Sequence, residues 1–207
     1  MDSFEKHASF LEENKELYDD EIKAKLGIFV SIPTLDLGAV KLRGFYTDQI
    51  EVESKYYFFN SNDELVKKYL PNCYVNNIEE ATVKIYDLCK KFLFKVGISF
   101  CIAIKETNVP IGYVIVNSPR CPFSDKDKMP RGEWTLDFFL GAHTRGRSIM
   151  STCVFRVLSY LQQMSVPIIY AYVDESNTNS IRVLQRNQFK LVGQSSDDKL
   201  IYGALLN

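Results

Sequence analysis

The residues with the clearest chemical potential lie between Glu133 and Met164. A β-like run, EWTLDFFLG, passes through AHTRGR straight into an apolar helical stretch, Ile149 to Met164. A strand that ends against a helix N-terminus gathers backbone N–H groups without intrahelical acceptors, and the positive end of the helix dipole lies beside them. Such a junction suits phosphate or pyrophosphate. Arg145 and Arg147 put charge at that place, and Gly146 lets the backbone approach closely. The plain alternative is an RGR of solvated surface charge. Further on, IIYAYV leads into DESNTNSIRVLQRNQFKLVG, residues 174–193. Asn177 follows a strand end there, and Ser180 is placed to cap the next helix. Ile181 and Leu184 turn inward before Phe189 re-enters a strand. In the first run, Glu133, Thr135 and Asp137 alternate with Trp134, Leu136 and Phe138, so three polar side chains share one face.

The elements that must hold these residues follow from periodicity. Residues 1–27 are charged and helical in pattern, with Phe4, Ala8, Leu11, Leu17, Tyr18, Ile22 and Leu26 at three- and four-residue steps and Gly27 as a stop. This reads as a helix packed on the body; a dimerisation arm or a cover over the substrate site is the alternative. Leu37 to Tyr46 predicts a strand, and Thr47 to Tyr57 a short helix opened by a Thr-Asp cap. Asn62 to Tyr69 is a further helical stretch ended by Pro71. Ile78 to Lys95 is an amphipathic helix with Ala81, Ile85, Leu88, Phe92 and Leu93 as its stripe. Ser99 to Lys105 and Ile111 to Asn117 form a hairpin across ETNVP, and Pro119 to Arg131 is a loop. After the helix Ile149 to Met164 come a strand (Pro167 to Asp174), a helix (Ser180 to Asn187) and a closing strand pair (Phe189 to Gly193, Lys199 to Leu205). Adjacent strands in the middle and alternating helices later predict an α/β fold, a mixed sheet covered on both faces.

Composition bounds the rest. The chain has 207 residues and 23.8 kDa, 46% of them hydrophobic, with 14 Phe, 12 Tyr and 1 Trp, which is enough for one sizeable core and excludes a disordered chain. The 25 basic and 26 acidic residues leave a formal net charge of −1, so no electrostatic footprint points to nucleic acid or an anionic membrane. There is no secretory signal pattern at the N-terminus and no run of apolar residues long enough for a membrane span. Five cysteines, Cys73, Cys89, Cys101, Cys121 and Cys153, lack any C-x-x-C spacing, which predicts reduced thiols in a cytoplasm and no metal site.

The two chemical segments together resemble motifs A and B of the GNAT acyl-CoA N-acyltransferase superfamily, in particular the RimJ/RimL-like branch of ribosomal-protein N-terminal acetyltransferases. That branch carries N-x-x-S-x-R-V-L-E-K-x-G-F in motif B, and residues 177–189 read NTNSIRVLQRNQF. VKLRGFYTDQ resembles the family's opening strand and helix, and FCIAIKETNVPIGYVIV its central hairpin. The resemblance covers about residues 28–207 and so divides the chain into an N-terminal helical extension, 1–27, and a GNAT domain, 28–207. The family's phosphate loop is Q/R-x-x-G-x-G/A; here Arg145, Gly146, Arg147, Ser148, Ile149 and Met150 give R-x-x-S-x-M.

The resemblance implies an acetyltransferase with acetyl-CoA as co-substrate and no metal. The sheet would split near the end of the strand Glu133–Gly141. Backbone N–H groups around Phe139, Leu140 and Gly141 would polarise the thioester carbonyl. Arg145, Gly146, Arg147, Ser148, Ile149 and Met150 would cradle pyrophosphate, and Asn177 and Ser180 would meet the pantetheine arm. A primary amine, on a peptide N-terminus or a small molecule, would attack directly, helped by a base on the polar strand face: Glu133 first, Asp137 second. The tyrosine that many members use as general acid is replaced by Leu184. Met150 would block the phosphate site if it faced outward. A GNAT module that has lost acetyl-CoA binding and serves as an interaction protein is therefore the alternative, and a homodimer is a further arrangement the N-terminal helix could support.

Overall fold

The computed structural model describes residues 32–121 and 132–206. The N-terminal helix expected over 1–27, and most of the loop expected between Pro119 and Arg131, lie outside the described residues.

Among the described residues eight strands form one sheet, in the spatial order β1-β2-β3-β4-β5-β6-β8-β7. The strands are β1 (Leu35–Asp36), β2 (Val40–Arg43), β3 (Gly97–Ile104), β4 (Pro110–Asn117), β5 (Thr135–Leu140), β6 (Ile168–Val173), β7 (Lys190–Gln194) and β8 (Leu200–Leu205). The helices are α1 (Ile50–Ser61), α2 (Glu64–Tyr69), α3 (Ile78–Leu93), α4 (Ile149–Gln163) and α5 (Thr178–Arg186). The mixed α/β sheet expected from the alternation of elements is thus present. The strand expected over Leu37–Tyr46 is broken at its start, because Gly38 turns with φ of +82° and separates β1 from β2.

Side-chain caps open three of these five helices, α2, α3 and α5. Asp63 accepts from the N–H groups of Leu65 and Val66 and opens α2, and Asn77 accepts from the N–H of Glu80 and opens α3. Two expected caps fall elsewhere. Thr47 belongs to a short 3-10 turn, Thr47–Gln49, and α1 begins after Gln49 without a side-chain cap. Asn177 rather than Ser180 caps α5, its Oδ1 accepting from the Ser180 N–H at 3.2 Å.

Side-chain alternation sorts the core into two layers. Phe100, Ile102, Val114, Val116, Leu136 and Leu140 face α4, where they meet Val154, Val157 and Leu161. Cys101, Ala103, Tyr113, Ile115 and Phe139 face α1 and α3, where they meet Tyr57, Ile85 and Leu88. All neighbouring strands run antiparallel except β5 and β6. These two are parallel and join through Thr135 opposite Tyr170, with the Tyr170 N–H donating to the Trp134 carbonyl at 2.8 Å. The rung lies at the start of β5, and the ladder does not continue toward the C-terminal ends. The sheet therefore opens there.

Candidate functional site

The parting of β5 and β6 makes a cleft. Its walls are Leu136, Asp137 and Phe138 on one strand and Ala171, Tyr172 and Val173 on the other; α2 contributes Tyr69 and the following Leu70, and Asp174, Asn177, Ser180 and Leu184 close the far side. Open backbone at a parted parallel pair leaves main-chain groups free for a ligand. Their direction follows from β4. Gly141 N–H already donates to the Ile111 carbonyl at 2.9 Å, and the β4–β5 register pairs Phe139 with Tyr113 and Leu140 with Gly112. In an antiparallel ladder successive residues point their backbone groups to opposite sides. The N–H groups of Gly141 and Phe139 therefore face β4, and those of Phe138 and Leu140 face the cleft side. Of the donors expected around Phe139, Leu140 and Gly141, Leu140 is therefore the one whose N–H is turned to the cleft side, while those of Phe139 and Gly141 are turned to β4. The Phe139 and Leu140 side chains are both buried, on opposite faces of the sheet.

Of the polar residues on β5, Asp137 is the one on the cleft wall. It is half-buried, closely surrounded by protein yet open to solvent through the cleft. Burial raises its carboxyl above the ordinary aspartate value, and the charges of Lys91, Lys199 and Lys84 with the Asn117 amide pull it only partly back. Thr135 is buried against Asn117, whose Nδ2 donates to its Oγ1 at 3.3 Å. Glu133 precedes the strand, and its Oε2 accepts a 2.8 Å hydrogen bond from the Tyr172 hydroxyl. Burial first, then the Glu133 carboxylate, push that phenol well up. The three polar residues expected on one face are thus in three different situations: cleft wall, buried link and tyrosine acceptor.

The anion site expected from the sequence falls on the loop between β5 and α4. Gly146 and Ser148 have φ of +81° and +57°, both left-handed. Ser148 therefore holds a left-handed backbone where the resembled phosphate loop has glycine, at the strain cost of a non-glycine residue there. It does not cap α4 with its side chain; Arg186 Nη1 lies 3.5 Å from its Oγ. The bond from the Thr152 N–H to the Ser148 carbonyl is in place at 3.3 Å, and the amides of Ile149, Met150 and Ser151 precede it, without intrahelical acceptors. Met150 is 6% exposed and belongs to the core beneath α4, so it does not stand over those amides. Arg147 is exposed beside them.

Arg145 is differently engaged. Its Nη2 pairs with Asp63 Oδ1 at 2.7 Å, Nη1 reaches Oδ2 at 3.3 Å, and Nε donates to the Leu140 carbonyl at 3.0 Å. The guanidinium expected at a phosphate instead ties the loop to the start of α2. Burial acts to raise the Asp63 carboxyl, but Arg145 outweighs it and the group lies below its ordinary value. Asn177 and Ser180 both reach the cleft, with Asn177 Oδ1 spent on its cap.

Sequence reasoning missed Tyr69, Leu70, Lys91 and Asn117. The D-E-L-V start of α2 is a cap signature that could have located the first two; a lysine in the last turn of an amphipathic helix reads as solvated, so Lys91 gave no signal. Among the described residues no group of His, Cys, Asp and Glu could hold a metal ion, and no helix is long and apolar enough to cross a membrane.

No curated protein matches the chain in sequence. Solved structures share its fold at low identity. Ribosomal-protein-S5-alanine acetyltransferase from Vibrio fischeri superposes with a TM-score of 0.67 at 15% identity, covering 84% of this chain and 97% of that one. RimL, a ribosomal L7/L12 alpha-N-protein acetyltransferase in complex with coenzyme A, gives 0.66 at 14% identity over 84% and 98%. The microcin C7 self-immunity acetyltransferase MccE, in complex with acetyl-CoA and AMP, gives 0.64 at 18% identity over 82% and 93%. A family model described as acetyltransferase (GNAT) domain matches residues 40–190, from β2 to the start of β7. The parted strands, the loop into α4 and the capped α5 all fall inside that span, and the chain belongs to the GNAT acetyltransferase family.

Proposed function

We propose that the protein transfers an acetyl group from acetyl-CoA to a primary amine, borne by a peptide N-terminus or a small molecule, by direct attack of the amine on the thioester. The observation that carries this reading is the cleft between β5 and β6, with a half-buried carboxylate on its wall and the uncapped amides of α4 one short connection away. Those amides, with Gly146 and Arg147, fit a pyrophosphate, because Met150 is turned into the core and leaves them open. Asn177 Nδ2 and Ser180 Oγ are suited to the amide groups of a pantetheine arm.

Asp137 serves as the base. An amine near the lysine value of about 10.4 arrives protonated at neutral pH and must lose a proton before it can attack. A carboxylate made more basic by burial accepts that proton better than a solvated one. Glu133, expected to lead, is held by Tyr172 and takes the supporting place. As the amine bonds to the carbonyl carbon, the cleft-facing N–H groups of Phe138 and Leu140 meet the charge that develops on oxygen. The structural similarity to ribosomal-protein acetyltransferases and to MccE supports both acceptor classes. Five cysteines outside any disulfide suit a reducing cytoplasm.

Thermal unfolding with acetyl-CoA tests the reading. At 100 times its dissociation constant a ligand adds about 2.7 kcal/mol, so the melting temperature should rise by several degrees, and desulfo-CoA should act almost as well. An unchanged melting temperature at millimolar cofactor would overturn it.

A further inference from the structure

One lysine of α3 is buried. Lys91 lies in the last turn of the helix, 9% exposed, and its stem runs past Gly97, where an added Cβ would meet Lys91 Cβ at 3.4 Å and Cδ at 3.5 Å. The ammonium ends on β4, with Nζ donating to Asn117 Oδ1 at 2.7 Å. Asn117 is 4% exposed, and its Nδ2 lies 3.3 Å from Thr135 Oγ1 and 3.4 Å from Asp137 Oδ2. The Cys121 thiol also donates to Asn117 Oδ1, at 3.6 Å.

Burying a lysine and an asparagine amide costs free energy unless each finds partners, and apolar residues would fill the space more cheaply. Donor and acceptor chemistry shows what the arrangement achieves. An ammonium can only donate, so Lys91 compels the Asn117 amide to present its oxygen to α3 and its NH₂ to β5. With the amide reversed, Asn117 Oδ1 would face the Asp137 carboxylate, acceptor against acceptor.

We propose that Lys91 and Asn117 are positioning residues for the reaction: Lys91 fixes the orientation of the Asn117 amide, and the amide holds Oδ2 of Asp137, leaving Oδ1 of that carboxylate for the incoming amine. The proposal rests on the assignment of Asp137 as base. It also carries charge, since the ammonium stands one amide away from the carboxylate. Other groups that act on Asp137 are Lys84 of α3, Lys199 before β8, and the Cys73 thiol after α2; Tyr69, Tyr172 and Asp174 share its cleft. None of these is bonded to Asn117 in the structure.

The test is the pH profile of kcat/KM with one amine acceptor in wild type, Lys91→Met, Asn117→Asp and Asp137→Asn. Removing the Lys91 charge disfavours ionised Asp137, so the acid limb should move up by about one pH unit in Lys91→Met, with KM for acetyl-CoA unchanged. Asn117→Asp is nearly isosteric, pairs with Lys91 and so preserves folding if Lys91→Met does not; its carboxylate against Asp137 should move the limb the same way. The carbon-13 titration of the Asp137 carboxyl should follow both shifts without reference to turnover. A limb and a carboxyl titration that coincide with wild type in both variants, whatever the loss of melting temperature, would reduce Lys91 and Asn117 to structural residues and overturn the proposal alone. Full activity of Asp137→Asn would overturn the base assignment and the proposal together.

Discussion

The two faces of the sheet solve different problems. The face toward α4 is apolar throughout its centre, with Phe100, Ile102, Val114, Val116, Leu136 and Leu140 against one helix. The face toward α1 and α3 buries charge and polar groups among its apolar residues: the Arg43–Glu53 pair at 2.7 Å with both side chains 3% exposed, the Lys91–Asn117–Asp137 chain, and the unpartnered Ser99 Oγ, Ser61 Oγ and Tyr113 hydroxyl. Apolar packing tolerates a defect locally, whereas buried polar groups depend on every partner. The polar face is also the one that carries Asp137. Both faces hold the fold together, one by apolar contact and the other by apolar contact joined to buried polar pairing.

Removing Arg43 should break this contrast most severely. The guanidinium also binds the Asn108 side chain and the Gly44 carbonyl and lies over the Tyr46 ring at 4.1 Å, so Arg43→Met would leave the buried Glu53 carboxyl without its cation. The expected loss is about 3–5 kcal/mol by chemical denaturation. Glu53 is raised by burial more than Arg43 lowers it, so its folded state favours the proton. Without Arg43 that tendency grows, and the variant's deficit should shrink as the pH falls toward the unfolded carboxylate value. On the apolar face, Leu161→Ala should cost about 2–5 kcal/mol with no pH dependence. Equal pH dependence in the two variants would erase the distinction between the faces.

Asp137→Asn sharpens it. Turnover should fall by about 10²-fold, while the melting-temperature rise with acetyl-CoA persists. Glu133→Gln should have the smaller effect, since it weakens only the acceptor of Tyr172. The folded-state pKa of Asp137 is raised, so its ionisation opposes folding: the stabilising contribution exists below the unfolded value and is lost as pH rises through the folded one. Asp137→Asn should therefore melt higher than wild type at neutral pH and lose that advantage in acid. A variant less stable at neutral pH would show that the carboxylate is held for structure.

The smallest effect belongs to Ser148→Gly. Relief of a left-handed serine should stabilise the loop by about 1 kcal/mol, and tighten acetyl-CoA binding if the loop's shape is what the ligand reads. A loss of affinity would assign the contact to the Ser148 hydroxyl.

Periodicity was sufficient for the elements. Alternation in EWTLDFFLG and the hairpin around ETNVP lie where local pattern places them, and so does the α3 stripe at Ala81, Ile85 and Leu88, because a half-buried strand or helix must repeat at its own period; Leu93, expected at the end of that stripe, is 72% exposed where the helix runs out. What local pattern could not convey was which neighbour each polar residue meets. Glu133 and Asp137 are equivalent in an alternating string; one finds Tyr172 across the parted strands and the other the cleft wall. Arg145 was legible as a cation in the right loop, but its partner Asp63 is 82 residues earlier. Lys91 stands beside Lys90 in an ordinary basic helix end, and only Gly97 and Asn117, folded against it, turn one of the two inward.

The single rung between Thr135 and Tyr170 has a consequence for how the molecule opens. On the β1–β5 side the strands are laced by continuous ladders, and β6, β7 and β8 are laced among themselves, so the backbone pairing between the two groups runs through one place. Cooperative units in native-state exchange follow such lacing. The β6–β8 group should then open as a unit in native-state exchange, with the Tyr170 amide, bonded to the Trp134 carbonyl, as the proton that reports it. A bound cofactor lying between the groups would slow the exchange of that one proton before any in the interior of β3.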